Sequence, residues 1–531
     1  MVNKSKKPKN KMESEIVPKP QKQTSDENPA LQKVLSEKYL TILIAITLLG
    51  TILRIYSLAT ESIWLDEATS VNIASRSLMD IIFGNNDFAH PPLYYSILHF
   101  VMMVSQSEFA LRLPSAIFGS LSIPLIYLVG KELLDKKTAI IASFLLSVST
   151  FHINYSQEGR SYALMMLLVL LTIYLFINAY NKKSTLHWTI TAISASVLVY
   201  THFFGFFVIA AMGLYYLINE FDIKILKFRS FEESKIALIG TLAFIVMSLP
   251  MIVWVIKELG YVSGNKTWGM SQEGFFHTIL LSFSSYSNLL LYIYAILLII
   301  GILFCMKDFR KSLTLLSIWL FLPLVTGYFL AGSMPFQPRY LLFVLPAYLL
   351  LISNGIVSIS KIGSLGIDSS NSTTKGKNQK NKTPGNNNTL REIAVIAVIL
   401  LVVCSISFIP LNNYYTSMSK NDWRSAALAL EEITQPGDVI TPLPGYMSQP
   451  LEYYYNNQTD ETIIKGTGYS EADMTKHAKG SKRIWYIVTW DISAANSDGT
   501  AIKWLQENAS PVGQITGIYV YTYPKIDVNM S

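Results

Sequence analysis

Cysteine is nearly absent from this sequence, and charged residues are scarce. Two cysteines, Cys305 and Cys404, occur in 531 residues, and both lie inside or at the edge of apolar runs. They support neither a disulfide framework nor a thiolate metal site, so redox chemistry is not expected. The sequence shows no internal repeat of fixed period. No cleavable signal peptide precedes the first apolar run, which we therefore interpret as an uncleaved anchor.

Charged residues make up only 15% of the chain, whereas hydrophobic residues make up 51% and the mean hydropathy is +0.34. This composition excludes a soluble enzyme and indicates a chain that lies mostly in a membrane. The apolar runs are near the length of spanning helices, so an α-helical bundle is predicted. The net charge of +7 does not indicate a nucleic-acid partner, because Lys and Arg concentrate in short segments between apolar runs.

The distribution of basic residues predicts a polytopic membrane protein with about eleven transmembrane helices. Residues 1–38 carry nine lysines and no arginine, and we predict that they form a disordered cytoplasmic tail. Every second connection after the first outer loop is basic, as the positive-inside rule requires. The predicted spans are 39–58, 113–130, 138–151, 163–179, 189–203, 206–218, 236–255, 281–304, 313–330, 340–359 and 393–408.

Three parts of the chain are predicted outside these spans. Residues 62–112 form an outer loop with two interfacial helices, one over 71–82 by its helical spacing and one ending near Val104, which is too short to cross a bilayer. Residues 361–391 form a disordered cytoplasmic linker by composition. Residues 412–531 form a small extracytoplasmic α/β domain without a nucleotide-binding glycine loop. Its predicted helices are 423–433 and 501–508, and its predicted strands are 483–489 and 515–523.

Two adjacent carboxylates, Asp66 and Glu67, follow the first span. A carboxylate there can accept a proton from an attacking hydroxyl, although two acids also suit the start of a helix, and the dipeptide alone favours that structural interpretation. The predicted topology favours chemistry, because the unusual polar residues fall at the outer ends of spans, where ionisable groups mark function. They are Trp64, Asp66, Glu67, His90, Arg112, Glu158, Arg160, Tyr162, His202, Arg339 and Tyr340.

Each candidate has a structural alternative. Arg112 could anchor a helix end at the headgroups, whereas Arg339 lies against the positive-inside bias, which favours an anionic partner. Glu158 and Arg160 could form a salt bridge with each other. His202 among aromatic residues is more typical of packing than of catalysis.

The remaining candidates are also open to two interpretations. The prolines after His90 fix its backbone and direct it toward the loop that holds Asp66. Trp64 could stack on a sugar ring or belong to an interfacial aromatic belt. No dedicated metal site is expected, although the carboxylate pair could bind a divalent cation weakly.

A series of motifs follows one another along the chain: Arg54, Asp66-Glu67, His90-Pro91-Pro92-Leu93, Arg112-Leu113-Pro114-Ser115, Gln157-Glu158-Gly159-Arg160-Ser161-Tyr162-Ala163-Leu164, Pro338-Arg339-Tyr340-Leu341 and Asp422-Trp423-Arg424. In the order of these motifs, the chain resembles the membrane-embedded C-type (GT-C) glycosyltransferases, specifically the group of the protein O-mannosyltransferases and aminoarabinose transferases (glycosyltransferase family 39-like). The likeness covers most of the chain and is strongest between Arg54 and Tyr162.

The resemblance implies a GT-C catalytic domain over 39–411. It also implies an inverting transfer of a sugar, mannose or another hexose, from a polyprenyl-phosphate or dolichyl-phosphate donor to a glycan, lipid or protein hydroxyl. By the same likeness Asp66 is the general base, and Glu67 either supports it or contacts the acceptor. Three arginines are implied to contact the lipid phosphate, and they are Arg54, Arg112 and Arg339. No cofactor is expected to be required.

Two departures from the group leave the acceptor open. The large inserted outer domain of the eukaryotic mannosyltransferases is absent, and aminoarabinose transferases have Lys where His90 stands. An oligosaccharide ligase or polymerase is the main alternative. A lipid-linked sugar transporter fits less well, because its polar residues should lie near the middle of the bilayer, and a non-catalytic receptor would not need both acids and the surrounding arginines. We expect a multi-pass protein of a bacterial or archaeal plasma membrane, with its N-terminus in the cytoplasm.

Overall fold

The protein is a bundle of membrane helices with a small α/β domain at its C-terminus. The computed structural model describes residues 29–84, 91–222, 227–262, 269–366, 386–417, 420–456, 470–480, 482–489, 492, 496 and 498–525. The α-helices are α1 Pro29–Ile55, α2 Leu65–Ala74, α3 Leu78–Phe83, α4 Pro92–Met102, α5 Glu108–Leu133, α6 Lys136–Ser147, α7 Thr150–Ser156, α8 Tyr162–Lys182, α9 Thr185–Val199, α10 Gly205–Glu220, α11 Phe231–Val262, α12 Phe275–Phe283, α13 Asn288–Asp308, α14 Arg310–Ser333, α15 Leu345–Gly366, α16 Asn386–Thr416, α17 Trp423–Ile433, α18 Ser448–Tyr454, α19 Glu471–Gly480 and α20 Thr500–Asn508.

Each of the eleven predicted spans coincides with an observed helix, but not every helix is long enough to cross a bilayer. Within the described residues, eight helices are long and apolar enough to span, or nine if α6 and α7, which meet at a 61° bend, count as one span. The two others, α9 and α10, have 15 and 16 residues. The prediction of a multi-pass helical membrane protein is confirmed, and the number eleven depends on these two short helices.

The predicted boundaries of the polar segments need correction. Helix α1 begins at Pro29, inside the segment 1–38 that we predicted to be disordered, and α15 and α16 extend into the predicted linker 361–391. The remainder of these two predictions, residues 1–28 and 367–385, lies outside the described residues. An apolar helix continues into polar flanks because each added residue gains a backbone hydrogen bond once the helix exists.

The first loop contains three short helices where the sequence predicted two. The predicted helix 71–82 is interrupted after Ala74, because the Ser77 hydroxyl accepts a hydrogen bond from the Asp80 backbone N–H and so starts α3 as a new helix. The second predicted helix corresponds to α4, which begins with proline at its first position.

The C-terminal domain contains a four-stranded sheet. The strands of the described residues are β1 Phe221–Asp222 and β2 Lys227–Phe228 between α10 and α11, then β3 Val439–Leu443, β4 Ile484–Thr489, β5 Ser510–Ile515 and β6 Ile518–Tyr523 in that domain. The sheet has the order β3-β4-β6-β5, in which β3 and β4 are parallel and β4, β6 and β5 pair antiparallel. The predicted strand 515–523 is in fact the second arm of a hairpin, since Gly517, with φ of 75°, makes the tight turn.

The domain is docked on the first loop of the bundle. The Ser62 hydroxyl donates to the Asn421 carbonyl at 2.8 Å, and the Ile63 backbone N–H donates to the Tyr454 hydroxyl at 2.6 Å. The Thr69 hydroxyl in α2 donates to the Gln449 side chain at 2.9 Å. These contacts place the domain over the end of the bundle that carries the two adjacent carboxylates.

Candidate active site

Asp66 lies in the first turn of α2 and faces a cation from a distant part of the chain. Its Oδ2 is 2.9 Å from Arg339 Nη2. The two atoms form an ion pair, but the N–H of Arg339 does not point at the oxygen well enough for a hydrogen bond. The Asp66 side chain remains 22% exposed, so water or a ligand can reach it. Arg160 donates to the Asp66 backbone carbonyl at 3.0 Å and to the Ser70 hydroxyl at 3.2 Å, which fixes the turn that carries the carboxylate.

Arg339 is held among three aromatic rings. Its guanidinium carbon is 5.5 Å from the Trp64 ring centroid, 5.9 Å from that of Tyr162 and 5.8 Å from that of Tyr340. Pro338 begins the 3-10 helix Pro338–Val344 that carries the arginine to this position. Cation–π contacts hold a guanidinium in place while its N–H groups stay available for an anion.

Glu67 occupies a different environment from its neighbour. Arg112 donates to both of its carboxylate oxygens at 2.7 Å, and the Gly159 backbone N–H donates to Oε1 at 2.9 Å. Arg112 also donates to the carbonyls of Leu58, Glu61 and Ser62, so its three nitrogens make five hydrogen bonds, one for each N–H.

The pKa of Glu67 reflects this fully bonded pair. Burial alone would raise it, but the charges of Arg112 and Lys420 and the hydrogen bonds outweigh the burial, and the pKa falls to about 2. Glu67 is therefore a carboxylate at every ordinary pH, and Arg112 has no N–H left for a phosphate.

A cavity of about 300 Å³ lies between the bundle and the C-terminal domain. Glu158 is buried in its wall, and the Oε2 atom of this side chain has no hydrogen-bond partner among the described residues. Burial raises the pKa of Glu158 to about 7, against the lowering effect of Lys420 and Arg339. The cavity is lined by Trp64, Leu65, Asn154, Tyr155, Glu158, Arg339, Lys420, Asn421, Trp423 and Met447.

Several buried polar atoms around Asp66 and this cavity have no hydrogen-bond partner in the described part of the chain. Buried polar groups in folded proteins are usually paired, so a cluster of unpaired ones indicates a place for a ligand. The unpaired atoms are Trp64 Nε1, Asp66 Oδ2, Glu158 Oε2, Arg160 Nε and Arg339 Nε, of which Asp66 Oδ2 has only its ion-pair contact.

His202 and its aromatic neighbours form one side of the site. The imidazole stacks on Phe203 with ring centroids 5.1 Å apart and lies 5.8 Å from Tyr162 and 6.2 Å from Tyr340. Its Nδ1 accepts the Phe204 backbone N–H at 3.2 Å. Burial lowers the pKa of His202 to about 3, so this imidazole is neutral and serves packing or neutral hydrogen bonding.

Arg54 lies away from the cavity, at the bend between α6 and α7. Its two terminal nitrogens donate to the carbonyls of Gly50, Leu146 and Ser147, and Nη2 is 2.6 Å from His152 Nδ1. The bend frees helix-end carbonyls, and the buried guanidinium satisfies them. This position does not fit the phosphate contact that the resemblance implied for Arg54.

The sequence analysis missed Lys420, which lies between α16 and α17. Its ammonium nitrogen is 3.4 Å from Glu67 Oε2 and 5.9 Å from the centroid of the Trp64 ring. In the sequence, the one indication of a role for Lys420 was its position two residues before the motif Asp422-Trp423-Arg424.

The structure thus gathers most of the predicted site residues at one end of the bundle. Arg54 is outside the group, and His90 lies outside the described residues. Within the part of the chain that the structure describes, no group of three or more His, Cys, Asp or Glu side chains could hold a metal ion. The site residues that lie together are Trp64, Asp66, Glu67, Arg112, Glu158, Arg160, Tyr162, His202, Arg339 and Tyr340.

Comparison with known proteins gives one family match and several structural ones. Residues 89–254 match the family model of the dolichyl-phosphate-mannose-protein mannosyltransferases. ArnT from Cupriavidus metallidurans bound to undecaprenyl phosphate is 14% identical, with a TM-score of 0.55 over 91% of this chain and 98% of that one. The archaeal oligosaccharyltransferase AglB from Archaeoglobus fulgidus, in complex with an inhibitory peptide and a dolichol-phosphate, is 13% identical, with a TM-score of 0.55 over 92% and 75%. No curated protein matches in sequence.

These findings confirm the likeness predicted from the sequence. The chain has the fold of the membrane-embedded C-type glycosyltransferases, and residues 89–254 have the sequence pattern of the mannosyltransferase family model. They also support the predicted class, a membrane-embedded glycosyltransferase.

Proposed function

We propose that the chain transfers a sugar, mannose or another hexose, from a polyprenyl-phosphate donor to an acceptor hydroxyl at the outer face of the membrane, with inversion at the anomeric carbon. One observation carries the proposal: the Asp66 carboxylate, partly exposed, lies 2.9 Å from Arg339, a cation of the cavity wall. An inverting transfer requires a base for the acceptor and cations for the phosphate that leaves. Asp66 and Arg339 are groups of these two kinds.

The residues divide the reaction between them. Asp66 takes the proton from the acceptor hydroxyl as its oxygen bonds to the anomeric carbon. The bond between that carbon and the phosphate oxygen breaks, and the polyprenyl phosphate leaves with the electron pair. Arg339 keeps its Nη2 on Asp66 and offers its unpaired Nε to a phosphate oxygen, and Lys420 supplies a second positive charge.

Glu158 suits a different task. Because burial holds its pKa at about 7, a large fraction of this side chain is protonated near neutral pH and can donate a hydrogen bond to a sugar hydroxyl. Trp64, which lines the cavity and packs on the Arg339 guanidinium, offers an apolar face beside the cation for the sugar ring, and buried Tyr162 packs on the same guanidinium from within the protein.

Two arginines receive roles other than those that the resemblance implied. We propose that Arg112 holds Glu67 and the three carbonyls of the preceding turn, because each of its donors is occupied. Arg54 is proposed to stabilise the bend between α6 and α7. The phosphate contacts then fall to Arg339, which the resemblance implied, and to Lys420.

The orientation belongs to the same proposal. The lysine-rich N-terminal segment supports an N-terminus in the cytoplasm, and with that orientation the site and the docked C-terminal domain face outside, in a plasma membrane. The acceptor at that face is a glycan, a lipid-linked glycan or a protein. A weakly bound divalent cation near Asp66 stays compatible with the proposal, which does not require one.

The test measures sugar transfer from radiolabelled polyprenyl-phosphate hexoses to endogenous acceptors in membranes. Asp66→Asn is compared with wild type and with Asp80→Asn, a matched change at an exposed aspartate in α3. We expect Asp66→Asn to lose about 100-fold or more, as removal of a general base does, and Asp80→Asn to keep wild-type transfer. Undiminished transfer in Asp66→Asn would remove this residue from the base role.

A second arm uses a lipid-linked oligosaccharide as donor. Transfer from this donor, together with none from any monosaccharide donor, would replace the proposal by the oligosaccharide ligase or polymerase that the sequence left as its main alternative.

A further inference from the structure

A second cavity lies in the bundle, at the end opposite the candidate active site. It has a volume of about 500 Å³ and runs between α9, α10 and α11, mostly along apolar side chains. Helix α8 connects the two ends, since Tyr162 at its start belongs to the active site and Lys182 ends it. Its 21 residues extend about 30 Å at 1.5 Å each, which is the thickness of a bilayer's hydrocarbon core.

Small side chains create the space in this groove. Ala192 and Ala195 line it from α9, and Gly213 lines it from α10. A Cβ atom added at Gly213 would meet no heavy atom within 4 Å, so the groove is open beside that residue. The wall therefore leaves room beside these helices for a narrow apolar group. The volume suits one acyl chain better than the long chain of a polyprenol.

The groove opens into a polar mouth of about 270 Å³, with Trp188 and Tyr216 shared by the two cavities. Two acids occur at the mouth and both are engaged: Glu233 pairs with Lys183, and Glu220 accepts a hydrogen bond from the Tyr180 hydroxyl.

Two cations at this end have no such partner. Lys311 lines the mouth and Lys235 lines the adjoining groove, and neither has an ion-pair or hydrogen-bond partner among the described residues. A hydrogen bond from a neutral tyrosine does not cancel the charge of Glu220, so the three lysines and two glutamates that line the two cavities leave a net charge of +1 where the apolar groove ends.

We propose that this groove binds one acyl chain of an anionic glycerophospholipid, whose phosphate lies at the mouth beside Lys235 and Lys311. The apolar lining matches the chain, and the two unpaired lysines match the phosphate. Lipid binding here does not rest on the proposed sugar transfer, because the groove and the candidate active site share no lining residue.

The test uses purified full-length protein in mixed micelles that contain equal amounts of phosphatidylglycerol and phosphatidylcholine. Lipids retained after dilution are identified by native mass spectrometry. We expect wild type to retain phosphatidylglycerol in preference to phosphatidylcholine. Neutralising both lysines, Lys235→Gln with Lys311→Gln, should reduce retained phosphatidylglycerol on the order of tenfold. Lys307→Gln, an exposed lysine near the same end that does not line the groove, should keep wild-type retention.

Gly213→Leu fills the groove without removing a charge, and it should displace the lipid while the thermal unfolding transition is kept. Equal retention of the two lipids by wild type, or unchanged retention in both variants, would overturn the proposal. The last experiment is a competition in which polyprenyl phosphate is added at the same concentration as phosphatidylglycerol. If polyprenyl phosphate displaces phosphatidylglycerol, the groove has a different occupant and the assignment is overturned.

Discussion

Replacement of Glu67 by Gln tests whether the second carboxylate of the adjacent pair holds the fold or takes part in the chemistry. The change leaves the Arg112 guanidinium buried without the negative charge of the carboxylate that accepts its two hydrogen bonds of 2.7 Å. Breaking a buried pair in this way costs roughly 3–5 kcal/mol of unfolding free energy. The pKa of Glu67 gives a similar figure, because a fall from 4.5 to about 2 corresponds to roughly 3 kcal/mol.

The pH dependence of this stabilisation has a definite sign. Since the pKa of Glu67 is lower in the folded protein than its ordinary 4.5, the stabilisation is complete above pH 4.5 and is lost as the pH falls toward 2. We expect thermal unfolding of Glu67→Gln, followed by tryptophan fluorescence at pH 7 in detergent, to occur well below that of wild type. Asp66→Asn is the matched neighbour and should unfold near wild type, because the contact between Asp66 and Arg339 is partly exposed. A Glu67→Gln protein that unfolds like wild type but transfers no sugar would refute the structural role.

Three further changes separate the roles of the other charged residues. Glu158→Gln should remove a contribution of opposite sign: with a folded pKa of about 7 against 4.5, Glu158 lowers the unfolding free energy of wild type by roughly 3 kcal/mol as the pH rises from 4.5 to 7. The stability of the variant relative to wild type, measured by thermal unfolding, should therefore increase by that amount across this range, because the opposite contribution of buried His202 is the same in both proteins. Lys420→Met should raise the KM for the donor by about tenfold, as expected for the loss of one charged contact, whereas Lys420→Arg should restore most of the affinity in the same transfer assay. Arg54→Lys should lower the free energy of unfolding by about 2–3 kcal/mol through lost carbonyl contacts, and the donor KM should stay at the wild-type value.

The sequence predicted best those elements that local chemistry defines. Helix α17 has the predicted bounds, Trp423–Ile433, because the Asp422 side chain accepts the Ser425 backbone N–H and caps its start. The predicted strand 515–523 corresponds to β6, and the first arm of the hairpin, β5, was missed because Pro511 and Gly513 interrupt its strand-like composition. Burial of hydrophobic runs predicts that a helix exists, whereas caps and turns decide where it ends.

The functional residues were harder to assign, because the sequence does not show which partners a charge meets. A contact with the lipid phosphate was expected for three arginines alike, and each of them lies near the end of an apolar run: Arg54, Arg112 and Arg339. Tertiary contacts separate them: backbone carbonyls occupy Arg54, a carboxylate and carbonyls occupy Arg112, and aromatic rings leave Arg339 Nε unpaired. Lys420 was missed because its site is formed only when the C-terminal domain docks on the first loop.

The geometry of α2 explains why the adjacent carboxylates of Asp66 and Glu67 have different environments. Successive residues of a helix point roughly 100° apart, so a carboxylate pair in a first turn cannot face the same surroundings. Glu67 turns inward to Arg112 and the Gly159 N–H, and Asp66 turns to Arg339. The inward pair fixes the start of α2 and with it the position of Asp66. If Asp66 is the base that we propose, its buried neighbour holds it in the fixed geometry that a pre-organised active site requires.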